Sequence, residues 1–236
     1  MNREFHKWYS GRLHRDMELL VFGHAGTPYV VFPTSRGRFF EFEDRRMVAQ
    51  VADRIDAGSL RLYCVDSIDG ESWYNRRIHP RDRIARHKQY ESYIEYEVVP
   101  LIRQRGTQGI GTTGCSFGGY QALNLALRRP DIFTLCLTMG AAFDIKQFLD
   151  GYYDQECYFQ NPPDYLKNQW DPWYLERYRR NWYLMATGEH DFCWRENERI
   201  AAIMRDKGIN HRLDVWGDRT GHDWPWWERM ARAYLM

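Results

Sequence analysis

The chain has 236 residues, of which 44% are hydrophobic and 16% aromatic. This is enough for one substantial core, so we expect a single domain over residues 1–236. Its 33 lysines and arginines nearly balance 32 aspartates and glutamates, and a formal net charge of +1 gives no field that would favour nucleic acid or a membrane surface as a partner.

The predicted strands begin with an antiparallel edge. Residues 16–22 have the pattern of one half of an antiparallel hairpin, and the turn-like segment 23–28 follows them. Short apolar runs then predict further strands at 29–32, 60–65, 110–115, 133–138, 182–186 and 211–215.

Helical patterns lie between these runs. Apolar residues recur at helical spacing from Ile84 to Leu101, after Pro80, and Pro100 is expected to kink the last turn. A second helix carries Tyr120, Leu123 and Leu127 and is expected to stop before Pro130. Two more are predicted around 198–204 and from Pro225, which suits the first turn of a helix.

Strands that alternate with helices of this length predict an α/β fold. Its sheet is expected to be mostly parallel and twisted, with helices on both faces and the antiparallel strand at its N-terminal edge. A stretch at about 150–175, rich in proline and aromatic residues, interrupts the alternation. We interpret it as a short cap insertion of the kind that often sets specificity.

The most informative motif is Gly114-Cys115-Ser116-Phe117-Gly118, which has the G-x-S-x-G pattern of a nucleophile elbow. It stands between the predicted strand 110–115 and a predicted helix, as an elbow requires. Glycines two residues before and after the serine avoid a collision in a very tight turn. The Cys115 side chain is expected to turn away and pack in the core.

A competing motif shares these glycines. Gly109 to Gly114 also matches G-x-G-x-x-G, the dinucleotide-binding fingerprint. That fingerprint needs a strand before Gly109, whereas 96–105 is helix-like, and an acidic residue at the end of a second strand about 20 residues later. Asp131 has the spacing but follows Pro130 and precedes a strand. The interpretation as a strand is therefore favoured over a nucleotide loop.

A serine nucleophile needs a base and a carboxylate that orients the base. His222, in Gly221-His222-Asp223-Trp224-Pro225-Trp226-Trp227, lies between a predicted strand and the last helix. Asp191, in Thr187-Gly188-Glu189-His190-Asp191, follows another strand. The order Ser116, Asp191, His222 is that of the α/β-hydrolases.

Three other carboxylates are alternatives for the orienting role. They are Glu189, Glu196 and Asp223, all close in sequence to Asp191 or His222. Asp223 is the least suitable, because the residue adjacent to a histidine aligns poorly with its ring. We prefer Asp191.

The three motifs together resemble the esterase D-like family of α/β-hydrolases over nearly the whole chain. The resemblance implies a serine carboxylic-ester hydrolase with no cofactor and no metal, with Ser116, Asp191 and His222 as its triad. Its oxyanion hole would use the amide of Phe117 and one from residues 33–37. This loop lacks the family's usual His-Gly pattern; we choose Ser35, with Thr34 and Arg36 as alternatives.

The expected partner is a small-molecule ester. Arg36 would suit an anionic group of the substrate, and Trp73 is the preferred pocket residue because it follows a strand on the expected catalytic side. A thioesterase or acyltransferase could use the same triad, and a non-catalytic binding protein on a hydrolase fold is the alternative of another class. Self-association into a homo-oligomer is left open.

Features relevant to location point to the cytoplasm. The first residues show no apolar signal-peptide core, and no apolar run approaches the roughly 18 residues that would span a bilayer. The five cysteines have scattered spacings without a C-x-x-C pair, which favours reduced thiols.

Overall fold

The computed structural model describes residues 1–107 and 109–236, and eight strands within them form one sheet. The strands are β1 (Arg3–Ser10), β2 (Arg15–Phe22), β3 (Thr27–Phe32), β4 (Leu60–Val65), β5 (Ile110–Cys115), β6 (Phe133–Met139), β7 (Trp182–Gly188) and β8 (His211–Trp216). Their order in the sheet is β1-β2-β4-β3-β5-β6-β7-β8. Strands β1, β2 and β4 pair antiparallel, and the pairs from β4 through β8 are parallel.

Helices connect the strands. Those described are α1 (Glu41–Asp44), α2 (Met47–Gln50), α3 (Ala52–Asp56), α4 (Pro80–Tyr93), α5 (Val99–Arg103), α6 (Phe117–Arg128), α7 (Gln155–Tyr158), α8 (Pro162–Tyr165), α9 (Pro172–Arg180), α10 (Trp194–Asp206) and α11 (Trp224–Tyr234). A π-helical turn, Ile94–Val98, joins α4 to α5, and a 3₁₀ turn covers Ile145–Phe148. None of these helices combines the length and the apolar character needed to cross a bilayer.

Both faces of the sheet are covered, as predicted. One apolar cluster packs β-strand residues such as Val30 and Tyr63 against α4, α5, α6 and α10. The other packs Val31, Leu62 and their neighbours against the short helices α1 to α3 and against α11. The parallel strands β4 and β5 are buried along their whole length, which explains their continuous apolar and small-residue runs.

The N-terminal hairpin is present, but its other half is β1, a strand that was not predicted. Strand β2 pairs with β1 on one side and with β4 on the other, whereas the turn-like segment 23–28 leads into β3, which is not a neighbour of β2. Strand β1 could not be predicted from the apolar pattern, because charged and polar residues occupy both of its faces. Its extended conformation is stabilised by the backbone hydrogen bonds with β2.

The disturbance near Pro100 starts earlier than expected. The helix widens into the π turn Ile94–Val98 and resumes as α5 with Pro100 in its first turn. Proline has no N–H for the carbonyl four residues before it, and its ring crowds that carbonyl. A widened turn just before the proline accommodates both effects.

The segment between β6 and β7 holds the 3₁₀ turn, α7, α8 and α9, so it is longer than the predicted insertion at 150–175. Buried polar contacts attach it to α6. Tyr120 Oη donates to the Gln160 carbonyl at 3.0 Å, and Asn124 Nδ2 donates to Gln160 Oε1 at 2.6 Å. Gln160 Nε2 in turn donates to Glu91 Oε2 of α4 at 2.9 Å.

The strand order reverses beside β3. The chain leaves β3 toward β4 on one side, and β5 continues the sheet toward β6 on the other. In α/β sheets, ligand sites lie at the carboxyl ends of the strands beside such a reversal. Residues 33–37 and Ser116 lie at this edge of the sheet.

Candidate active site

Ser116 occupies a sharp turn between β5 and α6, with φ 52° and ψ −122°. Such a left-handed backbone is uncommon for a residue with a side chain and is retained only where its surroundings enforce it. The flanking glycines make the turn feasible: a Cβ on Gly114 would lie 2.4 Å from the carbonyl carbon of Gly118. Strand β5 contains five of the six residues of the G-x-G-x-x-G motif, Ile110 to Gly114, so the motif is not the loop that a dinucleotide site requires.

His222 connects Ser116 to Asp191. Ser116 Oγ lies within hydrogen-bond distance of His222 Nε2, at 2.9 Å, and His222 Nδ1 lies 2.9 Å from Asp191 Oδ1. The Asp191 carboxylate is buried, the His222 side chain keeps 11% of its surface exposed, and Ser116 is half-buried. The predicted nucleophile, base and orienting carboxylate thus meet in one hydrogen-bonded line.

Two neighbouring loops position these partners. Asp191 lies between β7 and α10, and His222 lies between β8 and α11. Backbone contacts join the loops: the amide of Glu189 donates to the Trp216 carbonyl and that of His190 to the Thr220 carbonyl, each at 2.9 Å. The amide of Cys193 also donates to Asp191 Oδ1 at 2.8 Å.

The three alternative carboxylates have other partners. Glu189 accepts a hydrogen bond from the Arg219 amide, and the Asp223 carboxylate caps the start of α11. Glu196 accepts from the amides of Phe143 and Asp144, and burial raises the pKa of its carboxyl. In this arrangement Asp191 alone among the four candidates contacts the imidazole of His222.

A crowded corner lies behind the carboxylate. Gly140 has φ +56°, and a Cβ there would stand 2.5 Å from Asp191 Oδ2 and 2.8 Å from Trp227 Nε1. The Trp227 ring packs edge-on against His222 with 4.8 Å between ring centroids. Gly140 and Trp227 therefore form a close-fitting wall behind the Asp191 and His222 pair.

The loop after β3 presents one uncommitted amide. The amide of Thr34 donates to Glu41 Oε2 at 2.8 Å, and the amide of Arg36 donates to Asp69 Oδ2 at 3.0 Å. Among the described residues, none accepts a hydrogen bond from the amide of Ser35. The backbone of this loop packs on the start of α6, where a Cβ on Gly118 would be 2.5 Å from the Pro33 carbonyl oxygen.

The two residues predicted to contact substrate have different placements. Arg36 is exposed, and its guanidinium lies over the Tyr74 ring at 4.8 Å. Trp73 has no exposed surface and packs against His87, Tyr120 and Phe148, so it offers no surface to a substrate.

Tyr74 takes the position expected for Trp73. It is half-buried, its hydroxyl donates to Ser35 Oγ at 2.5 Å, and its ring meets the edges of Phe117 and Phe148. The sequence marks the Trp73-Tyr74 pair, but the choice between adjacent residues depends on the direction of a non-regular backbone.

Phe192 is a site residue that sequence reasoning missed. Its ring lies 4.1 Å from the His222 ring, measured between centroids, and 77% of its surface is exposed. Its position directly after Asp191 is the only sequence signal that could have drawn attention to it. A large exposed aromatic ring beside the candidate base has contact area that a bound molecule could use.

Cysteines do not supply a nucleophile here. Cys115 is buried with Leu137 and Met139, and burial raises the pKa of its thiol far above the ordinary value. Cys193 also lies near the site, where its sulfur and the ligand atoms of Asp191 and His222 fall within 4.8 Å of one another. These three side chains are close enough to bind one metal ion, but Asp191 and His222 already form a hydrogen bond with each other.

Comparison with protein families gives a match over residues 42–233 to the family described as "Putative esterase". The chain belongs to this esterase family. It is a serine esterase, and the mostly parallel sheet with its antiparallel edge is the α/β-hydrolase fold expected from the resemblance. No match was found among curated proteins.

Solved structures share the fold of this esterase along nearly its whole length. A ferulic acid esterase superimposes with a TM-score of 0.79 at 17% identity, covering 99% of this chain and 96% of the other. An S-formylglutathione hydrolase from Agrobacterium tumefaciens gives 0.75 at 17% identity, with 99% and 92% coverage. One from Staphylococcus aureus gives 0.73 at 15% identity, with 99% and 95% coverage.

Proposed function

We propose that this esterase hydrolyses carboxylic esters of small or medium acyl or aryl groups through an acyl-enzyme, with Ser116, His222 and Asp191 as a catalytic triad. The observation that carries the proposal is the hydrogen-bonded line from Ser116 through His222 to Asp191, with both links at 2.9 Å. The strained turn at Ser116 acts in this proposal as the nucleophile elbow.

The chemistry proceeds in two halves. Nε2 of His222 takes the Ser116 proton as Oγ attacks the ester carbonyl, and the imidazolium then protonates the departing alcohol. Asp191 accepts the hydrogen bond from Nδ1 and so fixes the tautomer that leaves Nε2 free to act as base. Water, activated by the same histidine, releases the acid and restores the Ser116 hydroxyl.

Two backbone amides would stabilise the negative oxygen of each tetrahedral intermediate. The amide of Phe117 is at the first position of α6, so it has no helical acceptor four residues before it. It also lies at the positive end of the helix dipole. The amide of Ser35 is the second donor, because those of Thr34 and Arg36 are already engaged. Donors fixed before the reaction give the largest single contribution to such catalysis.

Aromatic groups around the serine support an ester with apolar or aromatic parts. The Tyr74 hydroxyl contacts Ser35, and the Phe192 ring lies against that of His222. Arg36, exposed beside Tyr74, would pair with an anionic substituent. The predicted cap at about 150–175 would contribute to the choice of substrate.

Thioester hydrolysis is a second candidate. Two structural neighbours carry the name S-formylglutathione hydrolase, and thioester cleavage would use the same groups in the same order. Matched oxygen and sulfur esters of one acid would separate the two activities, since only the leaving atom differs between them.

A fluorophosphonate label tests the nucleophile directly. We expect the wild-type protein to be labelled and Ser116→Ala to remain unlabelled and inactive toward p-nitrophenyl acetate. Equal labelling of the two proteins would reject the proposal. A wild type that neither labels nor hydrolyses esters would favour the binding-protein alternative.

The orienting carboxylate needs its own comparison. Asp191→Asn should lower kcat by about 10⁴-fold, as loss of the tautomer-fixing group does in other triads, while Glu196→Gln should change it far less. A larger loss in the Glu196 variant would transfer the role to Glu196. Circular dichroism of both variants verifies that they fold.

The cytoplasmic location remains part of the proposal. It is supported by the five cysteines, which are all free and buried. The proposed partner is a small-molecule ester. The proposed hydrolysis uses residues of one chain and requires neither a second copy nor another macromolecule.

A further inference from the structure

Two carboxylates from different elements hold the loop after β3. Glu41, at the start of α1, accepts hydrogen bonds from both the amide and the hydroxyl of Thr34, each at 2.8 Å. Asp69, in the segment after β4, accepts the amide of Arg36 at 3.0 Å. The residue between these two anchors is Ser35.

Asp69 also links this loop to the helix that carries the nucleophile. Its side chain is 2% exposed, and its second oxygen accepts a hydrogen bond from Gln121 Nε2 of α6 at 3.0 Å. One buried carboxyl group therefore joins the Ser35 loop to the element that begins directly after Ser116. Movement of either partner would break one of these two bonds.

The backbone of the loop needs such an anchor. Arg36 has φ +58°, a left-handed conformation that residues with side chains adopt only when their surroundings hold them there. The hydrogen bond from its amide to Asp69 is made at this strained residue. Without it, the peptide groups on both sides of Arg36 could rotate to a relaxed conformation and carry the Ser35 amide with them.

We propose that Asp69 is a positioning residue, whose hydrogen bond to the Arg36 amide keeps the Ser35 amide directed at the oxyanion. The inference rests on the proposed acyl-enzyme mechanism. Asp69 itself contacts neither the substrate nor the Ser116 hydroxyl in this role; it acts through the backbone of the loop.

The raised pKa of the Asp69 carboxyl is compatible with a positioning role. The pKa of Asp69 is raised to about 7, chiefly by burial and to a smaller extent by Glu41, against the lowering effects of the Arg36 amide, Gln121 and the Arg36 guanidinium. The phenols of Tyr74, Tyr90 and Tyr120 also face it. A neutral acid can still accept from Arg36 with one oxygen, and it does not repel the developing oxyanion as a carboxylate would.

Three variants test the assignment by steady-state kinetics with p-nitrophenyl acetate. We expect Asp69→Ala to lower kcat by about 10- to 100-fold with KM changed less than about threefold, because the loss falls on a transition-state contact. Asp69→Asn keeps an acceptor for the Arg36 amide, so it should restore kcat to within about fivefold of wild type.

Asp66→Ala is the matched control. Asp66 is equally buried and follows the same strand, but it binds Arg38 and the amide of Phe39, beyond the Ser35 loop. It should lower the melting temperature without lowering kcat of the folded protein. Unchanged kcat in Asp69→Ala, no recovery in Asp69→Asn, or an equal loss in Asp66→Ala would each overturn the inference.

The labelling experiment on Ser116 keeps this test separate from the proposed function. If Ser116→Ala retains ester hydrolysis, the mechanism fails whatever the Asp69 variants do. If Ser116 is the labelled nucleophile and Asp69→Ala keeps its kcat, the mechanism stands and the positioning role alone is wrong.

Discussion

At the scale of single residues, the candidate site contains two kinds of side chain. Some belong to sequence motifs with a known chemistry, and others are placed near the site only by the folded structure. Ser116, Asp191 and His222 could be selected from the sequence because each belongs to a motif and their order is characteristic of one fold. Tyr74, Phe192 and Asp69 could not. Their contributions depend on the direction of a side chain in a loop, which no periodic pattern encodes.

Phe192 is expected to contact the leaving group of the substrate. His222 Nε2 protonates the departing oxygen, so the leaving group must pass beside the imidazole, whose ring is covered by Phe192 at 4.1 Å. Phe192→Ala should raise KM for p-nitrophenyl acetate by about 5- to 10-fold, as loss of roughly 1 kcal/mol of aromatic contact would.

The same variant should have little effect on methyl acetate, which offers no ring to stack. Phe159→Ala provides a control, because Phe159 is also an exposed aromatic residue but packs edge-to-face against Tyr158 in the segment between β6 and β7. An equal KM change for both esters would contradict a leaving-group role for Phe192.

The raised pKa of Asp69 has a measurable effect on stability. A carboxyl group with a pKa of about 7 in the folded state and 3.8 ordinarily binds its proton more tightly when folded. Its contribution to the free energy of unfolding therefore falls as pH rises from about 4 to about 7 and is constant above.

Asp69→Asn removes this dependence. The melting temperature of the variant relative to wild type should increase between pH 5 and pH 8, by roughly 5 °C or more. Asp206→Asn, at the exposed end of α10, is the matched control. A difference for Asp69→Asn that is the same at both pH values would show that the group does not titrate in this range.

At the scale of elements, the turn between β5 and α6 depends on close approach of the two backbones. Gly114→Ala would place a methyl group 2.4 Å from the carbonyl carbon of Gly118, where backbone cannot yield without moving the helix. We expect more than about 3 kcal/mol of destabilisation, or failure to fold, measured by urea denaturation.

Gly11→Ala is the comparison for this turn. Nothing lies within 4 Å of a Cβ at Gly11, so its stability should remain within about 0.5 kcal/mol of wild type. A Gly114→Ala protein as stable as Gly11→Ala would mean that the turn can open to admit a side chain.

The elements that sequence predicted share a strong local signal. Strands β4 and β6 are buried apolar runs, and α6 and α10 carry a continuous apolar stripe. Helices α1 to α3 lack such a signal, because they have four or five residues each and contribute only isolated apolar side chains to the sheet. Their order comes from tertiary packing, and a short window of sequence does not contain it.

At the scale of the whole molecule, a buried polar network joins regions far apart in sequence. Gln160 is fully buried and connects Asn124 of α6 with Glu91 of α4. Gln160→Leu should lower stability by about 2–4 kcal/mol, because it removes two buried hydrogen bonds, the one accepted from Asn124 and the one donated to Glu91. Thermal unfolding measures the loss.

Asn168→Ala serves as the control for this network, since Asn168 is exposed and makes its contacts at the surface. It should change stability by less than about 0.5 kcal/mol. If Gln160→Leu were as mild as this control, the segment between β6 and β7 would depend on its apolar contacts alone.

The attachment of Gln160 to Tyr120 and Asn124 bears on how substrate preference in this fold could be exchanged between proteins. A chimaera that received only residues 140–181 from a relative would set foreign groups against these two side chains of the recipient's helix. The graft that conserves the hydrogen bonds is a composite one, in which the β6–β7 segment is transplanted together with the face of α6 beneath it. We therefore expect the residues of the β6–β7 segment and those on the contacting face of α6 to vary together among related proteins.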